Sequence, residues 1–262
     1  MSVDLLHYLL GMLSGSLVGL SLGLFGGGGS ILAVPLLVYV VGVADAHTAL
    51  GTAAVAVAAN AAANLWGHAR RGNVRWRCGM IYAAAGVGGA LLGSTVGKLV
   101  DGEQLLLLFA LLMLGVAGAM VFRRNVEGNP NVSCGLESAP RTMACGFGSG
   151  ALSGFFGIGG GFLIVPGLMA STGMTMLHAI GSSLLAVTAF GLTTAGNYAL
   201  SGFVDWWLAA AFLAGGVAGG MAGSRLASAL ALKRGLLNTS FAVVIMTVAL
   251  YMAWRSLAVL VA

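Results

Sequence analysis

Two glycine clusters are the residues of this sequence whose type and spacing could do chemistry. Gly26 to Gly29 interrupt one apolar segment and Gly157 to Gly161 interrupt another, and each cluster is followed by a proline, Pro35 or Pro166. Glycine in a helix interior costs roughly 1 kcal/mol relative to alanine, so such clusters predict a break in the helix. A helix that restarts after a break presents free N–H groups and a partial positive charge. The clusters therefore predict a small-anion site built from the backbone.

The composition predicts an integral membrane protein. Of the 262 residues, 59% are hydrophobic and only 7% are charged, against about 25% charged in soluble domains. The length fits a single membrane domain over residues 1–262. The net charge of +5 comes from basic residues between apolar stretches, which indicate topology and no nucleic-acid partner. No cleavable signal peptide is expected, because little positive charge precedes the first apolar run.

The two halves of the chain are predicted to be a duplicated unit. A shift of 131 positions places Gly26 on Gly157 and His47 on His178, and a shift of 130 then places Trp76 on Trp206. We therefore predict a first repeat over residues 5–122, a linker over 123–141 and a second repeat over 142–257.

The Lys and Arg residues predict that the repeats are inverted. Lys and Arg mark cytoplasmic loops, so the loop RRGNVRWR, Arg70 to Arg77, should be cytoplasmic. Its counterpart, Ser201 to Trp206, has no basic residue and should be outside. This swap needs an odd number of crossings per half, which holds if each glycine cluster is the tip of a hairpin that enters and leaves on one face.

The expected fold is thus all-α and membrane-integral, with two inverted-topology repeats. Each repeat is a glycine-tipped helical hairpin followed by three transmembrane helices, with a cytoplasmic linker and both termini periplasmic. The return arms, Ile31 to Val43 and Phe162 to Ser171, are short for the roughly 20 residues of a span. Re-entrant or strongly tilted hairpins are therefore favoured over fully spanning ones.

Inverted repeats with broken helices are a recurrent transporter design, with the substrate near the midplane. We expect the two tips to converge there, lined by the long helix after each hairpin, which carries polar residues such as Asn64. The predicted substrate-binding residues are Gly28, Gly29, Ser30, Thr52, Asn60, Gly160, Gly161, Ser182 and Ser183. Alternatively, the hydroxyls and amides join helices by hydrogen bonds. His47 and His178 are interfacial residues or have a gating or proton-linked role.

Other chemistry is not expected. The acids Asp45, Asp101, Glu103 and Asp205 all fall at predicted span ends, which argues against a cation pathway. No enzyme motif, cofactor site or metal site is predicted. The cysteines Cys78, Cys134 and Cys145 are odd in number and lack metal-ligand spacing, so a disulfide is not expected either.

The glycine clusters and the helix starts after them resemble the TauE/SafE sulfite-exporter family. The second copy is the better match, with LSGFFGIGGGFLIVPGL from Leu152 and HAIGSSL from His178. The first, FGGGGSILAVPLL and then HTALGTA, has Ala53 where serine is usual in the family. The resemblance runs from about Gly15 to Arg255.

The resemblance implies export of sulfite, or of a related sulfur oxyanion such as an organosulfonate, across the bacterial inner membrane. Alternating access between the repeats would move the anion, with possible proton coupling. The alternatives are an anion channel of the same fold, and a thiosulfate or sulfate importer or membrane redox enzyme that uses a cysteine relay.

Overall fold

The computed structural model describes residues 2–122, 129, 132, 134, 138–157, 161–229, 243 and 245–255. In chain order the helices are α1 (Ser2–Phe25), the 3-10 helix η1 (Gly26–Leu32), α2 (Ala33–Pro35), the π-helix η2 (Leu36–Val41), α3 (Ala46–Arg70), α4 (Trp76–Gly97), α5 (Gly102–Phe122), α6 (Ala139–Phe155), α7 (Gly161–Thr172), α8 (Met176–Leu200) and α9 (Trp206–Ala229). Residues 245–255 form a further helical segment. Within the described ranges, β pairing is limited to an isolated bridge between Asn129 and Met174.

Five of these helices are long and apolar enough to cross a membrane, namely α1 from Leu6, α3, α4, α8 and α9 as far as Leu226. Shorter apolar helices cover Gly29–Val41, Gly102–Gly115 and Leu163–Thr172. The predicted all-α membrane fold is confirmed. The repeat boundaries remain a prediction. The last apolar run of the sequence, from Leu236 to Trp254, lies only partly within the described residues.

Each half of the chain packs its first helix against the other half. A side chain at Gly15 or Gly19 of α1 would overlap the α9 backbone at Phe212 or Gly216. The corresponding glycines of α6, Gly146 and Gly150, lie in the same way against the α4 backbone at Tyr82 and Gly86. Small residues allow helices to approach this closely in membranes. The two glycine seams, α1 on α9 and α6 on α4, give the halves a reciprocal arrangement that a two-fold relation produces.

The first glycine cluster reverses the chain after α1. A side chain at Gly29 would overlap the α1 backbone at Ser21 and Leu22, so the chain folds back there. Gly11 of α1 lies against Leu208, and Gly23 lies against the backbone of Ser224. These α9 positions are separated by about 24 Å of helix at 1.5 Å per residue. The outgoing arm therefore crosses most of a bilayer core of about 30 Å.

The second cluster turns at the opposite end of the bundle. Gly157 has a φ of +64°, a left-handed conformation that favours glycine. A side chain there would meet Leu50 at 2.5 Å, one turn into α3. The two chain reversals are thus offset along the bundle, because α1 stays helical as far as Phe25, despite its four internal glycines. The helices that follow the two reversals, η1 and α7, are in contact. The convergence of the two glycine tips at the midplane stays a prediction.

One end of the bundle gathers the arginine-rich loop, the described linker residues Asn129 and Cys134, and the connection between α7 and α8. Arg71 donates from Nη1 to the Ser224 carbonyl at 3.2 Å, and the Asn129 N–H donates to the Gly173 carbonyl at 2.8 Å. The opposite end carries Asp45 and Asp205, at the starts of α3 and α9. The arginine-rich loop and these two acids therefore lie at opposite ends of the bundle.

The structure corrects the expectation that the cysteines form no disulfide. Cys78, in the first turn of α4, is bonded to Cys134 of the linker, with a Cα–Cα distance of 5.4 Å. Cys145 is the free cysteine of the described residues. An odd number of cysteines does not exclude one pair, and the fold brings together two that are separated by 56 residues in sequence.

Candidate functional site

The helix starts after the two hairpins hold the halves together by equivalent hydrogen bonds. The Thr52 hydroxyl, near the start of α3, accepts a bond from the backbone N–H of Asp205 at 3.0 Å. The Ser182 hydroxyl, near the start of α8, accepts one from the backbone N–H of Arg75 at 2.9 Å. The two donors are also 130 positions apart, like the two acceptors. We call this pair of contacts the clasp.

Glycine makes the clasp possible. A side chain at Gly51 would overlap the Phe203 carbonyl oxygen, and one at Gly181 would overlap the Asn73 carbonyl oxygen. Each long helix therefore lies directly on the loop before a long helix of the other half. Part of the motif that predicted a binding site has a structural role, as the alternative interpretation of the hydroxyls expected.

The two clasp hydroxyls still have a proton to give. Thr52 and Ser182 accept a hydrogen bond in the clasp, and a hydroxyl that accepts one bond can donate another. Both residues are fully buried. They lie at opposite ends of the bundle, so the structure brings Thr52 close to the second glycine turn and Ser182 to the arginine-rich end.

The first glycine turn is a 3-10 helix, in which each N–H pairs with the carbonyl three residues earlier. The Ala33 N–H, for example, donates to the Ser30 carbonyl at the end of η1. The N–H groups of Gly29 and Ser30 are therefore used within η1, and those of its first turn, near Gly28, are the ones that an anion could reach.

The second turn presents a regular helix start. Gly161 is the first residue of α7, where the N–H groups of an α-helix have no intrahelical partner. Gly160 lies outside the described residues. The first turn and the second hairpin are in contact because η1 packs against both α7 and α8.

Ser183 donates to the Ile180 carbonyl at 2.8 Å within its own helix and is fully buried.

Further along α8, Asn197 belongs to a polar cluster at the acidic end. Its Oδ1 accepts a bond from Lys98 Nζ at 2.8 Å, and its Nδ2 donates to the Ser94 hydroxyl at 2.6 Å. Asn197 therefore joins helices in this conformation.

The two repeated histidines have different surroundings. His47 lies beside the rings of Tyr198 and Phe203, at centroid distances of 6.3 and 5.4 Å. His178 bonds through Nδ1 to the hydroxyl of Thr175 at 2.8 Å, at the start of α8. The two are at opposite ends of the bundle. Their gating or proton-linked role stays a prediction.

Asp45 caps the start of α3 next to His47. Its carboxylate accepts bonds from the N–H and hydroxyl of Thr48 at 2.9 and 2.6 Å. Burial acts to raise the pKa of Asp45, but the bonds from Thr48 and from the His47 N–H outweigh it, and the pKa lies below its ordinary value. The cap fixes the helix start that carries His47 and Thr52.

One buried titratable group was missed by the sequence reasoning. His68 continues the spacing of four residues set by Asn60 and Asn64 along α3, and all three side chains are buried. Neither amide atom of Asn60 and neither ring nitrogen of His68 has a hydrogen-bond partner among the described residues. The spacing itself was a signal that could have found His68, but its position beside the arginines of the next loop suggested a span end.

The buried polar side chains carry no permanent charge. His68 is uncharged when its imidazole is not protonated. They comprise hydroxyls, the amides of Asn60 and Asn64, and the imidazole of His68, and no Asp, Glu, Lys or Arg is buried in the part of the chain that the structure describes. Hydroxyl, amide and N–H groups are hydrogen-bond donors. Such an interior offers donors to an anion and no carboxylate to a cation.

Comparison with known proteins identifies the relatives. Residues 11–252 match the family described as Sulfite exporter TauE/SafE. A probable membrane transporter protein of Xylella fastidiosa (strain 9a5c) is 51% identical over 253 residues, which cover 95% of this chain and 96% of the relative. The probable membrane transporter protein YdhB of Bacillus subtilis (strain 168) is 27% identical over 204 residues, 76% of this chain and 82% of the relative.

A distant relative is the probable membrane transporter protein MJ0441 of Methanocaldococcus jannaschii, 29% identical over 183 residues that cover 68% of this chain and 67% of the relative. No solved structure matches the chain. The apolar helices and these relatives define a multi-pass membrane transporter. The chain belongs to the TauE/SafE sulfite exporter family.

Proposed function

We propose that this transporter exports sulfite, or a closely related sulfur oxyanion such as an organosulfonate, from the cytoplasm. The observation that carries the proposal is the buried interior, which offers hydroxyl, amide and imidazole groups but no buried acid among the described residues. A small oxyanion can accept several hydrogen bonds from such groups. The sulfur chemistry comes from the family description, Sulfite exporter TauE/SafE.

In this proposal the anion uses the predicted residues as two half-sites. One half-site comprises the first turn, Gly28 to Ser30, in which the N–H near Gly28 is the one within reach and Gly29 and Ser30 shape the turn, with Ser182 and Ser183 at the start of α8. The other comprises Gly160 and Gly161 with Thr52 at the start of α3. Asn60 lies further along α3, between the two ends. Support comes from the contacts of η1 with α7 and α8 and from the free N–H groups expected at the start of α7.

We infer that the anion moves by alternating access. Rocking of one repeat against the other would open the half-sites in turn, and the inside-negative membrane potential would favour anion exit. The basic residues at one end, Arg70 to Arg77, favour a cytoplasmic side for that end and periplasmic termini. The membrane concerned would be the bacterial cytoplasmic membrane. Fusions of green fluorescent protein to each terminus test the orientation. If both termini are periplasmic, a green fluorescent protein fused to either of them is expected to stay dark.

Export is tested directly in proteoliposomes. Vesicles that contain the purified protein should release radiolabelled sulfite with saturation and should exchange internal for external sulfite. Sulfate, thiosulfate and taurine, added in excess outside, establish the preferred anion by competition for exchange. Failure to move any of these sulfur compounds would contradict the proposed substrate class, and flux far faster than a carrier, without exchange, would favour the channel alternative.

The half-sites are tested by Ser183→Ala and Thr52→Ser. Ser183→Ala removes a buried hydroxyl and is expected to raise the KM for sulfite. Thr52→Ser keeps the hydroxyl and should transport normally. Thr188→Val is the matched control, because Thr188 belongs to neither half-site and its hydroxyl, like that of Ser183, bonds to a carbonyl of its own helix, that of Leu184 at 2.7 Å. An unchanged KM in Ser183→Ala, with normal amounts in the membrane, would remove Ser183 from the site.

The cysteine-relay alternative has little room in the observed structure, since Cys78 is bonded to Cys134. Cys145 is the free thiol among the described residues and is half-buried. Cys145→Ser should therefore leave sulfite exchange unchanged. A complete loss of transport in this variant would favour the relay.

A further inference from the structure

Three polar side chains form a buried row along α3. Asn60, Asn64 and His68 are spaced four residues apart, so they lie on one face of the helix. Their exposed fractions are 0%, 7% and 3%. The Asn64 side chain donates from Nδ2 to the Asn60 carbonyl at 2.9 Å. We call these three residues the polar row.

The polar row faces glycine on α9, which leaves space for it. A side chain at Gly216 would overlap the Asn60 amide, and one at Gly220 would lie 2.6 Å from Nδ2 of Asn64. The Asn60 amide has no hydrogen-bond partner on either atom, and His68 has none on either ring nitrogen, within the described residues. Unsatisfied polar groups are costly away from water. A row with several of them is therefore a candidate for binding a polar ligand.

The second half lacks an equivalent of this chemistry. The residues of α8 that correspond to the polar row are Phe190, Thr194 and Tyr198, all fully buried. Phe190 packs on Gly86, in the way that Asn60 packs on Gly216. None of the three changes its charge near neutral pH, whereas histidine does. At the positions of the polar row, the duplicated helices thus differ in that a proton-accepting side chain, His68, is present in α3 alone.

We propose that the polar row is a co-binding site for a proton and a small oxyanion, with the proton on His68 and the anion held by the amides of Asn60 and Asn64. The inference rests on the proposed function and adds its coupling. The anion would meet the amide Nδ2 groups of Asn60 and Asn64 and the imidazolium N–H of His68. The proton added to His68 offsets the charge of a singly charged anion, so binding of the two adds no net charge to the buried region.

The groups around His68 fit this pairing. A buried imidazolium needs a counter-charge, and no carboxylate of the described residues faces the ring. Arg71 is the charged group that acts on it, and this side chain is bonded to the Ser224 carbonyl of α9. From α1, the backbone of Gly23 faces the ring, outside hydrogen-bonding geometry. Beyond Ser224, Arg225 is exposed. The local cations attract an oxyanion, and the oxyanion is the missing partner of a protonated His68.

The test compares the pH dependence of sulfite exchange in wild-type vesicles and in His68→Gln vesicles. Sulfite itself takes up a proton near neutral pH, so the wild-type rate is divided by the variant rate at each pH to remove that contribution. The ratio is expected to fall by about fivefold or more between pH 6 and pH 8, the size of an ordinary coupling between two ligands. A ratio that stays constant over this range would overturn the inference.

His7→Gln is the matched control, because His7 lies in the first turns of α1, beside Tyr8. Its ratio should stay constant with pH. If His68→Gln does not reach the membrane, Asn64→Ala carries the test, since it removes an anion-binding amide and keeps His68. Its KM for sulfite should rise, and more at pH 6 than at pH 8; an unchanged KM at both would overturn the inference. Absence of sulfite exchange in the wild-type protein would instead contradict the proposed function.

Discussion

The hydroxyl of Thr52 and the backbone N–H of Asp205 are joined by a hydrogen bond of 3.0 Å that links the two halves of the chain. The matching bond, from the Arg75 N–H to Ser182, is 2.9 Å long at the other end of the bundle. Because each bond ties a long helix to a loop of the other half, the clasp resists separation of the repeats. Any rocking between the repeats must therefore keep these bonds or exchange them.

Removing one acceptor of the clasp should destabilise the protein. Thr52→Val keeps the shape of the side chain but leaves the half-buried Asp205 N–H without its partner. The expected cost is about 1–3 kcal/mol, measured as a lower midpoint of thermal unfolding in detergent. Thr52→Ser should behave as the wild type. A Thr52→Val midpoint equal to that of Thr188→Val, whose hydroxyl bonds within its own helix, would show that the clasp contributes nothing.

Glycine substitutions in α3 should have opposite effects at two positions. Gly51→Ala places a methyl group on the Phe203 carbonyl, so the loop must shift and the unfolding midpoint should fall. Gly67→Ala meets no atom within 4 Å and should raise the midpoint, since alanine is favoured in a helix by about 1 kcal/mol. The two variants lie in the same helix and make the same change of residue, so each is a control for the other. Equal midpoints for the two variants would contradict the close approach at Gly51.

The state of the cysteines should depend on the compartment. The Cys78–Cys134 bond lies at the arginine-rich end, which the loop charges assign to the cytoplasm, where thiols are kept reduced. Maleimide labelling after acid quenching of cells should then modify all three cysteines, and labelling of air-oxidised purified protein should modify Cys145 alone. A single labelled cysteine in the quenched cells would place this end on the oxidising side and reverse the predicted orientation.

The same bond should stabilise the oxidised protein. It closes a loop with a sequence separation of 56 residues, for which a chain-entropy model gives about 4 kcal/mol. Reduction of the purified protein should therefore lower the midpoint of thermal unfolding. The Cys134→Ser variant should show the lower midpoint with or without reductant, and a midpoint that still responds to reductant would point to another pair.

The cap at Asp45 should give a pH-dependent contribution to stability. Since the pKa of Asp45 is lowered in the folded protein, its contribution is present above the unfolded value of about 3.9 and is lost as the pH falls through the folded value. Asp45→Ala should cost about 1 kcal/mol at neutral pH. The stability of Asp45→Asn should lie between those of the wild type and Asp45→Ala. The difference in stability between Asp45→Asn and the wild type should disappear in acid. A difference that persists in acid would assign the effect to shape, not charge.

The sequence was sufficient for the fold class and for most helix positions. The apolar runs of the sequence from Ala46 to Ala69 and from Met176 to Leu200 coincide with α3 over Ala46–Arg70 and α8 over Met176–Leu200. Long apolar runs between charged loops have few alternatives in a membrane, which is why they are reliable. The family was likewise apparent from the glycine clusters and the helix starts after them.

The depth of the turns and the partners of the polar groups could not be predicted in the same way. Whether Gly23 ends a helix or packs within it depends on Gly220 and Ser224 of α9, which are distant in sequence. Cys78 and Cys134 meet for the same reason. The hydroxyl of Thr52 is a possible ligand group, and only the position of Asp205 in the structure revealed its role in the clasp. Long-range contacts decided each of these cases.

The glycine seams carry a consequence for how the protein is assembled. Since α1 lies on α9 and α6 lies on α4, neither half contains the helix that covers its own glycine face. A half produced alone could cover that face only with a second copy of itself, which is the arrangement that the predicted duplication would give. Cleavage within the linker should leave two fragments that remain interlocked, and the ancestor of such a chain would have worked as two identical subunits.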